Sequence, residues 1–331
     1  MSEMANWQRR AVLKGLVGGI VAGATLDRAH AAPTVDAERA ALETILDPSA
    51  EMKTLFTGGR WLEGPCYLPD LESLVFSDVK TNRMWRLGDD GSTETFRDPS
   101  ENANGNVLDG EGRLVTCEHR RRQVVRQEPD GSITVLADRY DGKRLNSPND
   151  AVLAPDGAIW FTDPTYGITQ PEEGIPAEPE QSARRVYRID PSGRLDAKTD
   201  TLRQPNGIAI SADGRTLYVS ETGGDATAPN GIVRFTIGDD GALADRQVFA
   251  LYDKGVPDGL ALDIEGRLYA GSIDGVRIFD EAGRPFGLIP TPKPAANLAF
   301  GGPDGRRLFV TATDSVHAID LKVPGIEWRK R

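Results

Sequence analysis

Apolar positions along most of the chain fall in short runs that alternate with turns. One arrangement recurs six times: a polar tripeptide that contains Gly or Pro, a few apolar residues, a turn, and a second apolar run. The copies begin at Glu63, Asn104, Pro148, Pro205, Pro257 and Ala296. Most of the turns are Asp-Gly or Glu-Gly, and short apolar runs joined in this way predict β-hairpins.

A second hairpin separates successive copies. "RMWRLGDDGSTETF" (Arg83–Phe96), for example, alternates apolar and polar residues around a Gly turn. Two hairpins make a four-stranded unit, and the spacing of roughly 40 to 57 residues suits a propeller blade. No copy contains an amphipathic helical stretch, which argues against an α/β fold. The sequence therefore predicts an all-β, six-bladed β-propeller with four-stranded blades.

The two ends of the repeat region predict how the ring closes. "MKTLFTGG" (Met52–Gly59) alternates like a strand before the first copy, and "SVHAIDLKV" (Ser315–Val323) follows the last one. We expect the N-terminal segment to supply the outer strand of the last blade, which removes two free sheet edges. The predicted propeller domain spans residues 51–325, and residues 326–331 form a tail. The insert Tyr166–Ala183 in the third copy is Pro- and Glu-rich and predicts a lid over one face.

The first 31 residues look like an export signal. Arg9 and Arg10 precede the apolar run "LVGGIVAGATL", and "AHA" (Ala29–Ala31) resembles a cleavage site. This pattern resembles a twin-arginine signal, so we expect export by the twin-arginine machinery, removal near Ala31 and a periplasmic location. The apolar run is too short to predict a stable membrane anchor. Residues 32–50 are expected to be a linker.

Composition narrows the function classes. The 331-residue chain has a formal net charge of −11, which argues against a general nucleic-acid surface. Its two cysteines, Cys66 and Cys117, lie in apolar strand contexts and predict buried thiols. With three histidines and no G-x-S-x-G element, the sequence shows no Ser-His-Asp arrangement. A closed propeller with no further signal is expected to be a monomer.

The polar residues that open the six copies suggest a cation site. In a propeller the innermost strand of each blade lines the central channel, so these residues should meet at one channel mouth. Carboxylates and amides suit a hard divalent cation, with Ca²⁺ first and Mg²⁺, Mn²⁺ or Zn²⁺ as alternatives. A purely structural ring of amides is the competing interpretation. The candidates are Glu63, Asn104 or Asn106, Asn149, Asn206, Asp258 and Asn297.

Five motifs carry a family resemblance. "EGP", "LNSPND", "FTDPTYGI", "QPNGIAIS" and "VPDGLALD", in this order, resemble the family that includes senescence marker protein (regucalcin) and bacterial gluconolactonases. The resemblance covers roughly residues 50–325. It implies a six-bladed propeller with one catalytic divalent cation that hydrolyses sugar lactones. It also implies that Glu63, Asn149, Asn206 and Asp258 bind the cation, and that Asp258 is the general base.

The resemblance implies substrate contacts as well. Asn149 is one of them, and Asn106 and His119 are the candidates from the second copy. Some family members have an arginine just before their Asn-Asp pair, and Arg144, five residues before Asn149, is the candidate here. Tyr166 is expected to shape the pocket through the loop that follows it, as is Asp163.

Lactone chemistry fits these residue types. A divalent cation can polarise a carbonyl or acidify water, a carboxylate can accept a proton, and amide N–H groups can stabilise an oxyanion. We therefore predict metal-dependent hydrolysis of a sugar lactone, with glucono-1,5-lactone as the first substrate to test. The alternatives are a calcium-dependent phosphotriesterase and a non-catalytic periplasmic propeller that binds a sugar or a metal.

Overall fold

The computed structural model of the chain describes residues 35–225 and 229–326. Over these residues the chain forms consecutive antiparallel sheets of four strands each, together with one two-stranded ribbon. The sheets are arranged as the six blades of a propeller, and the predicted fold is confirmed. The predicted signal over 1–31 and residues 327–331 of the predicted tail lie outside the described residues.

The strands are numbered in chain order. Blade one contains β2 (Leu62–Leu68), β3 (Ser73–Asp78), β4 (Arg83–Gly88) and β5 (Thr93–Arg97). Blade two contains β6 (Ala103–Leu108), β7 (Leu114–Glu118), β8 (Gln123–Gln127) and β9 (Ile133–Ala137). The ribbon that follows contains β10 (Arg139–Tyr140) and β11 (Lys143–Arg144). Blade three contains β12 (Ala151–Leu153), β13 (Ile159–Asp163), β14 (Arg185–Ile189) and β15 (Leu195–Thr199).

The second half of the ring repeats this order. Blade four contains β16 (Pro205–Ile210), β17 (Thr216–Glu221), β18 (Gly231–Ile237) and β19 (Leu243–Leu251). Blade five contains β20 (Leu260–Leu262), β21 (Leu268–Ser272), β22 (Gly275–Phe279) and β23 (Pro285–Pro290). Blade six contains β24 (Asn297–Gly301), β25 (Arg307–Ala312) and β26 (Ser315–Asp320), and β1 (Lys53–Thr57) is its outer strand.

The ring closes as the sequence predicts. Strand β1 pairs antiparallel with β26, with Lys53 opposite Ala318 and Thr57 opposite Ser315. Hydrophobic clusters of the described residues lie between each blade and the next. The cluster between blades six and one, which includes Phe76 and Phe309, completes the circle.

Position within a blade explains the hydrophobic pattern. The second strands lie between neighbouring blades, so both of their faces are covered, and β13 is buried along its whole length. The fourth strands lie at the outside, and β5 is largely exposed. Cys66 and Cys117 are both buried, as expected, and are not joined by a disulfide.

The described residues contain little helix. Helix α1 (Val35–Ile45) falls within residues 32–50, where we expected a linker, and it packs against blade five. Gly287 of β23 leaves room for the Leu42 side chain, and Ile45 is buried in the cluster between blades five and six. Helix α2 (Tyr166–Thr169) begins the blade-three insert, and short 3₁₀ turns span Pro69–Leu71 and Val79–Thr81. Within the described ranges, no helix is long and apolar enough to cross a membrane.

Candidate active site

The starts of the first strands meet at one end of the ring, which we call the mouth. The Gly105 N–H donates to the Asn149 carbonyl of the next blade at 2.7 Å. A Cβ on Gly105 would lie 2.6 Å from that same oxygen, so only glycine permits the approach. Gly64, Gly207 and Gly259 approach the next blade in the same way. Their close packing brings the side chains of neighbouring tripeptides together.

Hydroxyl groups at the ends of the second strands hold these tripeptides in place. Each hydroxyl donates to a backbone carbonyl at the start of the following blade, so it connects two blades at the mouth. The bonds are Ser77 Oγ to Asn104 O at 2.7 Å, Thr162 Oγ1 to Asn206 O at 2.7 Å and Ser220 Oγ to Asp258 O at 2.6 Å.

An acidic residue follows each of these hydroxyl residues. Its carboxylate holds the backbone segment that comes just before the tripeptide of the same blade. Asp78, Asp163 and Glu221 accept backbone N–H bonds from residues 60–61, 146–147 and 203–204. The dipeptides Ser-Asp, Thr-Asp and Ser-Glu at these strand ends are visible in the sequence, and they are the signal that sequence reasoning did not use. Asp163, expected to shape the pocket, accepts the backbone N–H groups of Asn146 and Ser147, just before Asn149.

Two of the predicted ligands are carboxylates that the mouth brings close together. Glu63 is buried, Asp258 is half-buried, and Glu63 hydrogen-bonds to Asn297. Loss of solvation raises the pKa of Glu63 well above its usual value, and Asp258, Asp150 and Glu173 raise it further. Loss of solvation also raises the pKa of Asp258 to about 8, with further contributions from Asp150 and Glu173. The crowded negative charge would be relieved by a cation.

The donor set determines which cation would fit. In the part of the chain that the structure describes, no group of three or more His, Cys, Asp or Glu side chains could hold a metal ion. A cation at the mouth would therefore need amide oxygens in addition to Glu63 and Asp258. Asn149 and Asn206 provide them, and an all-oxygen set of this kind suits a hard cation such as Ca²⁺ or Mg²⁺.

Asp150 is the acidic residue at the mouth that the sequence reasoning missed. Aligning the copies on Glu63, Asn104, Asn149, Asn206, Asp258 and Ala296 places Gly64, Gly105, Gly207 and Gly259 at the next position, whereas blades three and six have Asp150 and Asn297 there. Asn297 is therefore one position later than Glu63 and Asp258, not in phase with them. Both side chains accept an N–H from the next residue and lie over the glycine of the preceding blade.

His119 orients two amides at the mouth. It is fully buried, and burial lowers its pKa to about 4, so the ring is neutral at neutral pH. Nδ1 lies 3.2 Å from the Glu173 carbonyl, which can only accept, so Nδ1 carries the proton. Nε2 then accepts from the amides of Asn104 at 3.3 Å and Asn149 at 3.4 Å. This arrangement leaves the Asn149 oxygen free to face a cation.

The structure brings Tyr166 to the site. Its hydroxyl contacts the Thr222 hydroxyl and hydrogen-bonds to the Asn206 side chain. Tyr166 and Thr222 also border an open cleft of about 480 Å³ that includes Arg184 and Arg203. A larger cavity of about 550 Å³ follows the channel from Asn297 towards the opposite end of the ring.

Asn106 and Arg144, both predicted to contact substrate, hydrogen-bond to other parts of the protein instead. The Asn106 amide donates to the Gly64 carbonyl at 2.8 Å, and its oxygen accepts from Thr116 at 2.7 Å, so it links blades one and two. Arg144 lies in the ribbon strand β11, and its guanidinium donates to the Arg121 carbonyl at 2.7 Å. The structure therefore does not bring Arg144 to the mouth.

The insert after β13, predicted to be a lid, contacts the mouth through its backbone, since the Glu173 carbonyl lies 3.2 Å from Nδ1 of His119. Gly174 approaches Gly167 so closely that a Cβ there would overlap the Gly167 carbonyl, and Gly167 packs against His119. Ion pairs hold its two sides. Arg60 lies 3.3 Å from Glu172 on the side of blade one, and Arg122 lies 3.5 Å from Glu180 on the other.

Comparison with known proteins agrees with this architecture. Residues 61–314 match a family model described as "SMP-30/Gluconolactonase/LRE-like region". A gluconolactonase of Zymomonas mobilis is 32% identical over 86% of this chain and 85% of its own. A pentonolactonase of Haloferax volcanii is 27% identical over 77% and 82%. The solved structure of a Xanthomonas campestris gluconolactonase is 42% identical with a TM-score of 0.81, and the match covers 85% of this chain and 93% of that one. The chain belongs to the SMP-30/gluconolactonase/LRE-like family.

Proposed function

We propose that this chain hydrolyses a sugar lactone to the aldonic acid by attack of water, with a divalent cation bound at the mouth. One observation carries the proposal: Glu63 and Asp258 lie close enough for the charge of Asp258 to raise the pKa of Glu63, and the Asn206 side chain hydrogen-bonds to Asp258. The names of the gluconolactonase and pentonolactonase relatives agree with a lactone-hydrolysing enzyme. Glucono-1,5-lactone is the proposed first substrate.

Glu63, Asn149, Asn206 and Asp258 would hold the cation. When bound, such a cation polarises a carbonyl oxygen or lowers the pKa of a coordinated water. Ca²⁺ is the proposed ion because the donors are all oxygens, two of them charged and two neutral. The ring of buried acidic groups explains why the chain would need it, since Glu63 and Asp258 are costly to keep ionised together without a counter-charge.

The protein's own groups supply the remaining chemistry. Asp258 accepts the proton of the attacking water while the new C–O bond forms at the lactone carbonyl. The bond to the ring oxygen then breaks, and that oxygen takes the proton from Asp258 to become a hydroxyl, which returns Asp258 to its ionised form. His119 keeps the Asn149 amide in one orientation, and Tyr166 does the same for Asn206. A site that is held in place before substrate binds needs less reorganisation during the reaction.

A test uses the acid product. Proton release from glucono-1,5-lactone is followed in weak buffer with the mature protein, after chelation and after Ca²⁺ is added back. We expect chelation to abolish turnover and Ca²⁺ to restore it. We expect Asp258→Asn to lower kcat by roughly 1,000-fold, because the proton acceptor is lost. Asp253→Asn is the matched control, since this side chain lies in the same loop and is 87% exposed.

The outcomes separate the candidate functions. Turnover that persists after complete chelation would contradict the cation-dependent reaction. Cation binding without turnover of any lactone would favour a binding propeller, and turnover of phosphotriesters alone would favour a phosphotriesterase. Export by a twin-arginine signal over residues 1–31, a periplasmic location and a monomeric state stay proposals. Cell fractionation of the full-length chain and of an Arg9→Lys, Arg10→Lys variant tests export.

A further inference from the structure

The open cleft of about 480 Å³ beside Tyr166 has a purpose that the proposed reaction does not explain. Blade three contributes Tyr166, at the start of the insert, and Arg184, which directly follows the insert. Blade four contributes residues at the start of its first strand and at the end of its second, among them Arg203 and Thr222. The cleft is therefore bordered by two arginines.

The cleft adjoins the mouth through a short series of contacts. The Tyr166 hydroxyl contacts the Thr222 hydroxyl, and Thr222 Oγ1 donates to the Gln204 carbonyl at 2.9 Å. Gln204, which also borders the cleft, comes two residues before the candidate ligand Asn206. Two residues of extended chain span roughly 7 Å. A molecule bound at the mouth can therefore place its far end in the cleft.

The blade-four wall of the cleft is held in place by one buried carboxylate. Glu221 accepts the N–H groups of Arg203 at 2.6 Å and Gln204 at 2.8 Å. It also accepts the Gly223 N–H at 3.0 Å. A Cβ on Gly223 would lie 2.6 Å from the Arg203 Cβ, so the two strand ends are in close contact. This wall is thus formed before any ligand binds.

The two arginines of the cleft differ in their partners. Arg203 Nη1 lies 2.7 Å from Asp225, which compensates its charge. Arg184 Nε donates to the buried Thr165 hydroxyl at 3.2 Å, and that hydroxyl donates to the Gln204 side chain at 3.3 Å. Over the ranges 35–225 and 229–326, Arg184 forms no ion pair and its Nη1 and Nη2 have no hydrogen-bond partner. Arg184 therefore carries the uncompensated positive charge of the cleft.

This arrangement suits an anionic ligand group. A guanidinium binds a carboxylate or a phosphate through two parallel N–H···O bonds, and the Nη1 and Nη2 groups of Arg184 are open for them. Its Nε is anchored, so less side-chain freedom is lost when a ligand binds. The chain has a net charge of −11, and Glu63 and Asp258 lie at the mouth, so an anion would be held at the cleft rather than beside those carboxylates.

On the basis of the proposed function, we propose that Arg184 binds an anionic group at the end of the substrate remote from the lactone carbonyl. The substrate class is then a sugar lactone that carries a terminal carboxylate or phosphate. Arg203 is the weaker contact in this scheme because Asp225 already pairs with it. Arg184 determines specificity, while the groups at the mouth act on the carbonyl.

The test compares one neutral and two anionic lactones. Glucono-1,5-lactone is neutral, 6-phosphoglucono-1,5-lactone carries a phosphate, and glucaro-1,4-lactone carries a carboxylate. Arg184→Gln should lower kcat/KM for an anionic lactone by about tenfold, the scale of a charge-assisted contact at an open site. The loss should appear in KM, because the contact is the same before and during the reaction. The value for glucono-1,5-lactone should stay within about twofold of the wild type.

Two further variants separate binding from general electrostatics and from shape. Arg215→Gln removes the same charge from an exposed position at the opposite end of blade four and should change none of the three values. Arg184→Lys keeps the charge but loses the paired N–H groups, so it should recover only part of the loss. A loss confined to the phosphate or to the carboxylate substrate supports the inference and identifies the anionic group.

Other outcomes would overturn the inference. Equal losses on all three lactones would mean that Arg184 supports the shape of the site, and no loss on any would mean that it does not touch substrate. A wild type that hydrolyses only the neutral lactone would also contradict it. These three results leave lactone hydrolysis intact. If the wild type hydrolyses none of the lactones, the proposed function fails and this inference fails with it.

Discussion

The two ends of the propeller use the same kind of hydrogen bond, from a backbone N–H group to an acidic side chain, for different purposes. At the end opposite the mouth, aspartates accept the N–H of the residue two positions later and stabilise hairpin turns. Examples are Asp90, Asp109, Asp130, Asp156, Asp190, Asp213, Asp240, Asp263, Asp280 and Asp304. At the mouth, Asp78, Asp163 and Glu221 accept N–H groups from residues 16 to 18 positions earlier.

This difference in sequence separation changes the environment of the carboxylate. The turn residue Asp130 has its pKa lowered by hydrogen bonds from Ser132, in a fully exposed position. Asp163 is fully buried, and loss of solvation raises its pKa to about 7 despite two backbone hydrogen bonds. The turn aspartates stabilise hairpins whose positions can be predicted from the local sequence. The carboxylates at the mouth instead hold the backbone segments that precede the candidate ligands.

The largest difference between the two ends is expected when one carboxylate at each end of the propeller is replaced by the corresponding amide. Glu221 accepts N–H bonds from Arg203 at 2.6 Å and Gln204 at 2.8 Å, just before Asn206. Glu221→Gln places an amide N–H against these donors, so we expect the free energy of unfolding in urea to fall by about 2 kcal/mol. We also expect lactone turnover to fall, because Asn206 loses its support. Asp213→Asn at the opposite end should cost less stability and leave turnover unchanged.

A pair of glycines extends the comparison to the lid. Alanine at Gly174 would overlap the Gly167 carbonyl and displace the lid turn. We expect Gly174→Ala to lower kcat/KM for glucono-1,5-lactone by about tenfold, since small displacements of positioning groups reduce rates at this scale. Gly110, in a turn at the opposite end, has no atom within 4 Å of an added Cβ. Gly110→Ala should match the wild type, and equal losses would contradict a lid-specific effect.

The smallest expected effect is a change in the pH dependence of stability. The Asp163 pKa rises from 3.8 in the unfolded chain to about 7 in the folded one. Between these values the folded state binds a proton that the unfolded state lacks, so its contribution to stability falls as pH rises. The turn residue Asp130 has the opposite sign: its lowered pKa contributes stability above pH 3.8 that is lost in more acidic solution.

Asp163→Asn should therefore flatten the decrease in unfolding free energy between about pH 4 and pH 7, measured by urea titrations across that range. Asp130→Asn is the control and should alter the curve only below that range. An unchanged slope in the Asp163 variant would show that this carboxylate does not hold a proton in the folded state at neutral pH.

The sequence predicted the position of some residues of the site correctly and of others wrongly. The phase of the six copies placed Glu63, Asn149, Asn206 and Asp258 at one mouth, because strand starts in a propeller share one end. Arg144 is five residues from Asn149 in sequence, yet it lies in the ribbon and bonds to Arg121. Asn106 lies in one of the tripeptides that open the copies, but its side chain hydrogen-bonds to Gly64 and Thr116.

The sequence by itself determined the repeat, the number of blades, the closing strand and the local turns, because these follow from contacts between residues close along the chain or from a pattern repeated six times. Only the tertiary structure decided that His119 orients the Asn149 amide, that Asp150 joins the acidic cluster and that the Glu173 carbonyl contacts His119. Each of these depends on packing between blades or between lid and floor. Packing of that kind sets the direction of a side chain and how far it is removed from water, and neither can be predicted from the spacing of residues along the chain.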